Sequence, residues 1–345
     1  MRYKLKCTLC KAVYDSGYRS QICGACSGIL EVEYAGSIKG ASGTSFWDNP
    51  MLPDGRYRHF EVGNTKVIRA DSEGLFFKLE TENPTGSFKD RGSVVEVAKA
   101  AEYRYKEVVC ASTGNMAYSV AYYSKLYGLR AKIFISRDAS SCKINDIRSV
   151  GDADITKING DFTEAQRLAE AYAKKKGAFL TGDYCYRKEG QGSISPEILR
   201  AVNNVSRIFV PVGNATLISG MYKYLARLNL KGRMPELVAV QAKKCMPLVR
   251  AFKKKAGIRY ERPRTRADAI AVGLPTYGGQ AIEVLNATRG TAVSVSEKDM
   301  REEQKLFYAK YGLIVELAAV AGIAAWRKTK PETGASVVVI SGGNV

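Results

Sequence analysis

Asn83-Pro84-Thr85-Gly86-Ser87-Phe88-Lys89-Asp90-Arg91-Gly92 is the stretch on which the reading of this chain turns. It opens with turn punctuation, Asn83-Pro84 and then Gly86, and stops where a helical pattern begins, from about Gly92 to Tyr103. A lysine there sits at the mouth of a loop rather than along a solvated helix face. Its amine can be desolvated, lose its proton and become a nucleophile toward an aldehyde. By itself a lysine in a Gly/Pro turn is an ordinary surface residue, so the rest of the chain has to decide.

Upstream, Leu75-Phe76-Phe77-Lys78-Leu79-Glu80 reads as a strand, and downstream helix and strand alternate. A strand at 107–111 is followed by Ser112-Thr113-Gly114-Asn115, which opens a helix to about Tyr127. A strand at 131–136, a helix around 140–150, a strand near 154–158, a helix at 162–176 and a strand at 178–181 close this block. The second block has a helix over roughly 190–203 and the buried strand Arg207-Ile208-Phe209-Val210-Pro211-Val212. Gly213-Asn214-Ala215-Thr216 then turns into a helix at 217–228. A strand at 236–241 precedes a basic, less regular region to about 270. A strand at 291–295, helices at 297–310 and 317–328 and a strand at 336–340 lead to Ser341-Gly342-Gly343-Asn344-Val345. Strands alternating with amphipathic helices predict parallel βαβ units in a doubly wound sheet, an α/β fold.

Three loops then follow parallel strands at their carboxyl ends, where open α/β sheets place ligands. Gly213-Asn214-Ala215-Thr216-Leu217 has the small residues that let successive N–H groups converge at a helix N-terminus. That is a phosphate cradle needing no cation, or else a plain strand-to-helix turn. Ser112, Thr113 and Gly114 can hold a substrate carboxylate by the same helix-terminus physics, although Ser-Thr-Gly-Asn is also common turn chemistry. The third loop is Ser341-Gly342-Gly343-Asn344.

Residues 1–34 read as a short β-rich ribbon carrying Cys7, Cys10, Cys23 and Cys26, two CxxC pairs with twelve residues between them. Two such knuckles can place four thiolates tetrahedrally around one zinc ion, a structural site because no position stays open; redox-active or vestigial thiols are the alternative. Cys110, Cys142, Cys185 and Cys245 are scattered and read as core or loop thiols. The chain has 345 residues, enough for two domains, and no run approaches a membrane span. Met1–Lys6 lacks the apolar core of a signal peptide, so a cytoplasmic protein is expected. The formal charge of +19 is open to three readings: a nucleic-acid binder, the steering of a small anionic substrate into a cleft, or a host habit of lysine-rich surfaces. Basic residues are spread along the chain without an aromatic-interleaved stripe, which argues against nucleic acid as a partner.

The ten-residue string closely resembles the Schiff-base lysine motif of the threonine synthases. These belong to the tryptophan-synthase-β-like, fold type II, pyridoxal-phosphate enzymes. The resemblance covers most of the chain, including the zinc knuckle found in some threonine synthases. It implies two doubly wound parallel-sheet domains with the cofactor in the cleft between them, plus a small N-terminal zinc ribbon. The expected boundaries are 1–35 for the ribbon, 36–95 and 189–345 for a large cofactor-binding domain, and 96–188 for a small one. By the same resemblance Lys89 carries pyridoxal 5′-phosphate and the 213–217 loop grips its phosphate. Asn115 meets its phenolic oxygen and Ser341 its ring nitrogen. Tyr186-Arg187-Lys188-Glu189-Gly190-Gln191 is similar to a family segment with Arg-x-Glu-Gly-Gln, which makes Arg187 the candidate for the substrate's phosphate. Lys78, Tyr311 and Glu316 lie in further matching segments without an assigned role.

A neutral hydroxyl at the ring nitrogen makes the cofactor a mild electron sink, suited to elimination and replacement. With one histidine in the chain, His59, proton transfer falls to Lys89. The expected reaction converts O-phospho-L-homoserine and water to L-threonine and phosphate. Met116, the segment Thr181–Tyr186 and Leu317-Ala318-Ala319 depart from the family pattern. They keep open a β-replacement or elimination enzyme on phosphoserine, serine or threonine, of cysteate-synthase or dehydratase type. A basic zinc-ribbon protein binding nucleic acid on a retired scaffold is the remote alternative. A homodimer is expected, as the commonest oligomer.

Overall fold

The computed structural model describes residues 3–36, 45–112, 114–137, 141–151, 153–160, 162–228, 234–329 and 334–344, without the side chains of 141 and 142. In the Gly/Ser/Ala-rich stretch 36–45 only the end residues are among them. Two compact units emerge, one of Met1–Val62 with Lys89–Gln191, the other of Gly63–Phe88 with Gly192–Val345. The divisions thus fall at 62/63, 88/89 and 191/192, against 35/36, 95/96 and 188/189 read from the sequence.

The first unit begins with β1 (Tyr3–Cys7), β2 (Val13–Asp15) and β3 (Leu30–Tyr34), an antiparallel ribbon with β1 central. Alternation along β1 and β3 turns Tyr3, Leu5, Cys7, Leu30, Val32 and Tyr34 inward. The chain next contributes β4 (Val67–Arg69) and β5 (Leu75–Leu79) to the second unit. It returns with α1 (Lys89–Glu102), β6 (Glu107–Ala111), α2 (Asn115–Tyr127), β7 (Arg130–Ser136), α3 (Ser141–Ser149), β8 (Ala153–Ile158), α4 (Phe162–Lys176), β9 (Phe179–Leu180) and α5 (Cys185–Gly192). Its four strands form a parallel sheet in the order β8-β7-β6-β9.

The second unit continues with α6 (Ile194–Ala201), β10 (Val205–Pro211), α7 (Thr216–Leu225), β11 (Glu236–Ala242), α8 (Pro247–Lys254) and α9 (Gly278–Ala287). It ends with β12 (Thr291–Val295), α10 (Glu297–Tyr311), α11 (Ala321–Thr329) and β13 (Ala335–Ile340). Its sheet runs β12-β11-β10-β13-β5-β4, parallel except for the antiparallel edge strand β4. The central strands are apolar on both faces, as a sheet covered by helices requires. Its core joins Phe77, Phe209, Val240, Phe307, Ile323 and Ile340.

The sequence reading and the structure part where glycine or proline hides a helix. The helix expected over 190–203 is two, α5 and α6, broken at Ser193, and the first starts at Cys185. Gly190 and Gly192 lower its intrinsic propensity, but packing overrides that. A Cβ on Gly190 would lie 1.9 Å from the Arg91 carbonyl oxygen, and one on Gly92 would lie 2.5 Å from Arg187 Cγ, so only glycines let α1 and α5 touch backbone to backbone. The region read as irregular to 270 holds α8, which starts with proline at its first turn. Residues 317–320 form turns, and α11 begins only at Ala321. Gly190→Ala forces backbone apart and is expected to cost about 3 kcal/mol by chemical denaturation. A change below about 0.5 kcal/mol would mean that the α1–α5 contact is looser than described.

Candidate active site

In the second unit β10, β13 and β5 are adjacent and parallel, so the segments leaving their carboxyl ends emerge side by side. These segments are the Gly213–Leu217 loop, the Ser341–Asn344 loop and the lysine loop. The last two are stitched together. The Phe88 N–H donates to the Ser341 carbonyl at 3.0 Å, the Gly343 N–H to the Gly86 carbonyl at 2.9 Å, and Asn344 Nδ2 to the Thr85 carbonyl at 2.7 Å. Ser87 and Gly342 pair as an isolated antiparallel bridge. Gly86 makes this possible with a φ of +73°, and a Cβ there would sit 2.5 Å from Asn344 Oδ1. Lys89 therefore follows one residue after a backbone already fixed to Ser341.

The other end of the lysine loop is held by buried charge. Lys78 is fully buried and its Nζ bonds Glu197 Oε2 at 2.6 Å and the Thr65 carbonyl, with Glu80 Oε1 at 3.9 Å. Thr65 Oγ1 donates to Glu80 Oε1 at 2.8 Å, and Asn83 Nδ2 donates to Glu80 Oε2 at 2.9 Å. Asn83 Oδ1 accepts from the Gly63 N–H at 2.9 Å, and the Asn64 N–H donates to Glu197 Oε1 at 2.9 Å. A buried pair so completely bonded confers position more than net stability. Of these residues the sequence marked Asn83, as the start of the lysine motif, and Lys78, a lysine inside the apolar strand Leu75–Leu79, but not Thr65, Glu80 or Glu197.

Gly213–Leu217 runs from β10 into α7. Gly213 is tightly packed, since a Cβ would meet the Ala269 carbonyl oxygen at 3.0 Å. Ala215 adopts a left-handed φ of 64°, the turn that points successive N–H groups one way. Asn214 braces the loop: its carbonyl accepts from the Tyr277 N–H at 2.9 Å and its Oδ1 from Thr276 Oγ1 at 3.1 Å. Thr216 and Leu217 open α7, whose first N–H groups have no intrahelical acceptor. Ser219 Oγ on α7 and Ser87 Oγ in the lysine loop are buried without a partner among the described residues. A nest of amides and uncommitted hydroxyls fits a phosphorylated cofactor.

In the first unit Lys89 is the first residue of α1, which begins three residues earlier than read, and its side chain is half-buried. Ser112 and Asn115 are buried at the β6–α2 junction, and the Gly114 N–H donates to Ser112 Oγ at 3.3 Å. Thr113 lies outside the described residues. Lys143 of α3, missed in the sequence, brings its Nζ within 3.1 Å of where a Gly114 Cβ would sit, adding positive charge to that helix N-terminus.

Arg187 is placed differently from expectation. It is fully buried, with Nη2 2.6 Å from Glu96 Oε2 and 3.1 Å from Ser93 Oγ. Nε donates to the Gly182 carbonyl at 2.7 Å and Nη1 to the Lys89 carbonyl at 3.3 Å. With every guanidinium nitrogen committed to the protein, it does not present a fork to a substrate phosphate. Burial pushes the Glu96 carboxyl up to about 7, against the opposing pull of Arg187, Gln21 and the Gly182 N–H.

The four ribbon cysteines converge, their sulfurs all within 4.8 Å of one another, with Cys7–Cys26 at 3.5 Å and Cys10–Cys23 at 3.6 Å. Sulfurs tetrahedrally bound at about 2.3 Å from zinc stand about 3.8 Å apart, so the cluster suits a metal ion. Each knuckle ends in a left-handed residue, Lys11 and Ser27. The Tyr14 hydroxyl and the N–H groups of Cys26 and Ala25 hold the Cys23 thiol down to about 6, despite burial. Cys110, Cys185 and Cys245 are buried and apart from the cluster. No helix among the described residues is long and apolar enough to cross a membrane.

A family model described as "Pyridoxal-phosphate dependent enzyme" matches residues 59–343. The threonine synthase of Methanocaldococcus jannaschii is 35% identical over 267 residues, 75% of this chain and 66% of that protein, just under two thirds of its length. That of Methanosarcina acetivorans is 32% identical over 351 residues, 94% of this chain and 86% of the other. Maize serine racemase matches with a TM-score of 0.73 at 26% identity, over 81% of this chain and 88% of its own. These matches and the two largely parallel sheets bear out the expected fold type II architecture. Arg187→Met leaves Glu96 buried and unpaired and is expected to lower stability by about 3–5 kcal/mol in denaturant melts. A variant of unchanged stability whose KM alone rises would return Arg187 to the substrate.

Proposed function

The chain belongs to the pyridoxal-phosphate-dependent enzymes, and from that premise we propose that it is a threonine-synthase-like lyase. The reaction takes O-phospho-L-homoserine and water to L-threonine and phosphate. The observation that carries the reading is the stitching of the lysine loop to the Ser341 loop, beside the Gly213–Leu217 cradle on the adjacent strand. The two threonine synthases similar to this chain support the choice of reaction. Bound pyridoxal phosphate would supply an aldehyde for the amino group and an electron-accepting ring.

The chain's own residues supply the rest. Lys89 would hold the cofactor through its amine and, once displaced, move protons at the substrate's Cα and Cβ. The amides of Gly213, Asn214, Ala215, Thr216 and Leu217 would hold the cofactor phosphate, with Asn115 at its phenolic oxygen and Ser341 at its ring nitrogen. Ser112, Thr113 and Gly114 would take the substrate carboxylate, and the basic surface would steer the anion inward. Zinc in Cys7, Cys10, Cys23 and Cys26 would be structural, since four thiolates leave no open position. The protein would work in the cytoplasm as a homodimer with no nucleic-acid partner.

Buried Met116 and the Thr181–Tyr186 segment, whose Thr181, Tyr184 and Tyr186 are also buried, keep a β-elimination or replacement enzyme as the second reading. Purified protein is expected to release phosphate and threonine together from O-phosphohomoserine. Lys89→Ala should reduce this about a thousandfold. Keto acid and ammonia from threonine or serine, or sulfite incorporation into phosphoserine, without threonine from phosphohomoserine, would favour the second reading. For the ribbon, about one zinc per chain is expected in wild type by elemental analysis and none in a Cys10→Ser/Cys26→Ser variant. Equal metal in both would refute the site.

A further inference from the structure

Gln21 stands two residues before Cys23, in the ribbon, and is 2% exposed. Its carboxamide is fully spent outside the ribbon. Nε2 donates to Glu96 Oε1 at 3.1 Å and to the Leu180 carbonyl at 2.9 Å. Oε1 accepts from the Tyr186 N–H at 3.1 Å, with Cys185 Sγ at 3.6 Å. Its main chain stays with the ribbon, its carbonyl accepting from the Leu30 N–H at 3.1 Å, next to the Ile22–Ile29 bridge. Glu96 passes the contact on to Arg187, which bonds the Lys89 carbonyl and the Ser93 hydroxyl, the two ends of the first turn of α1. Gln21, Glu96, Arg187 and Ser93 are buried, and the whole series lies in the first unit.

We propose that Gln21 is a positioning residue through which the metal-bound cysteine ribbon, acting by way of Glu96 and Arg187, holds the turn of α1 that carries Lys89. The physics is that of a buried polar network. Glu96 sits in a low-dielectric site where each donor weighs heavily. Removing the Gln21 amide leaves a carboxylate oxygen with one donor fewer and loosens the ion pair that tethers Arg187 to α1. The ribbon backbone around Gln21 is organised by the two knuckles, so losing the metal undoes the same contact from the other side. The proposal takes the ribbon's metal and the role of Lys89 from the proposed function, and the test reads each separately.

Amide hydrogen exchange is measured on the full chain without added cofactor. The samples are wild type, Gln21→Ala, the conservative Gln21→Asn, and wild type stripped by a chelator. Exchange over residues 89–96 is expected to rise about tenfold in Gln21→Ala and in the stripped protein. Gln21→Asn, whose shorter arm keeps one donor, should fall between them and wild type. Loaded with pyridoxal phosphate, Gln21→Ala should also shift the pH midpoint of the cofactor's visible band, a readout of the Lys89 environment that a bare loss of stability does not move. Unchanged exchange at 89–96 in Gln21→Ala with its zinc retained would overturn the proposal. So would stripped protein whose exchange rises over 3–34 alone. If Gln21→Ala does not fold, Gln21→Asn and the stripped protein decide. Protein that carries no zinc as purified overturns the metal clause only, and a missing visible band counts against the role of Lys89 while the exchange result stands.

Discussion

The Phe88 N–H to Ser341 carbonyl bond is the constraint on which the proposed chemistry depends. It ties together two segments far apart in sequence, both leaving the same end of neighbouring parallel strands. With the Gly343–Gly86 bond, the Ser87–Gly342 bridge and the Asn344 side chain, it makes a small antiparallel clasp at the carboxyl ends of two interior parallel strands. A lysine that must meet one atom of a ligand cannot sit on a loop free to wander, because small misplacement costs rate steeply. The clasp fixes one side of that loop, and the Lys78–Glu197–Glu80 network fixes the other through Asn83.

Buried charge has a common use in both units. Lys78 and Glu197 in one, and Arg187 and Glu96 in the other, are ion pairs withdrawn from water and bonded to main-chain groups, the first at Asn64 and Thr65, the second at Lys89 and Gly182. Such pairs contribute little net stability compared with apolar packing. What they add is direction, since a charged fork bonds only in one arrangement. The ribbon joins this scheme through Gln21 rather than through its cysteines.

Much of this was legible in the sequence because it rests on short-range signals. The strand at Glu107–Ala111, the helix at Phe162–Lys176 and the strand at Thr291–Val295 coincide with their readings, since periodicity and turn residues agree there. The CxxC pairs and the small-residue loop at 213–217 are local patterns with one physical meaning each. The partners of those patterns were not legible. Gln21 and Glu96 acquire their roles from residues far away in the chain, and nothing adjacent marks them. Arg187 shows the same limit in reverse. Its segment resembles a ligand-binding stretch, but the fold turns the guanidinium inward against Glu96. Helix α5 was blurred for a related reason, because the glycines that weaken its local signal are those its packing requires.

The most direct test of the lysine's role is reductive trapping. Protein incubated with pyridoxal phosphate is treated with borohydride, digested, and the site of the stable adduct located by mass spectrometry. The proposed role of Lys89 predicts one modified peptide, with the adduct on that residue. Label scattered over surface lysines, with Lys89 unmodified, would contradict it.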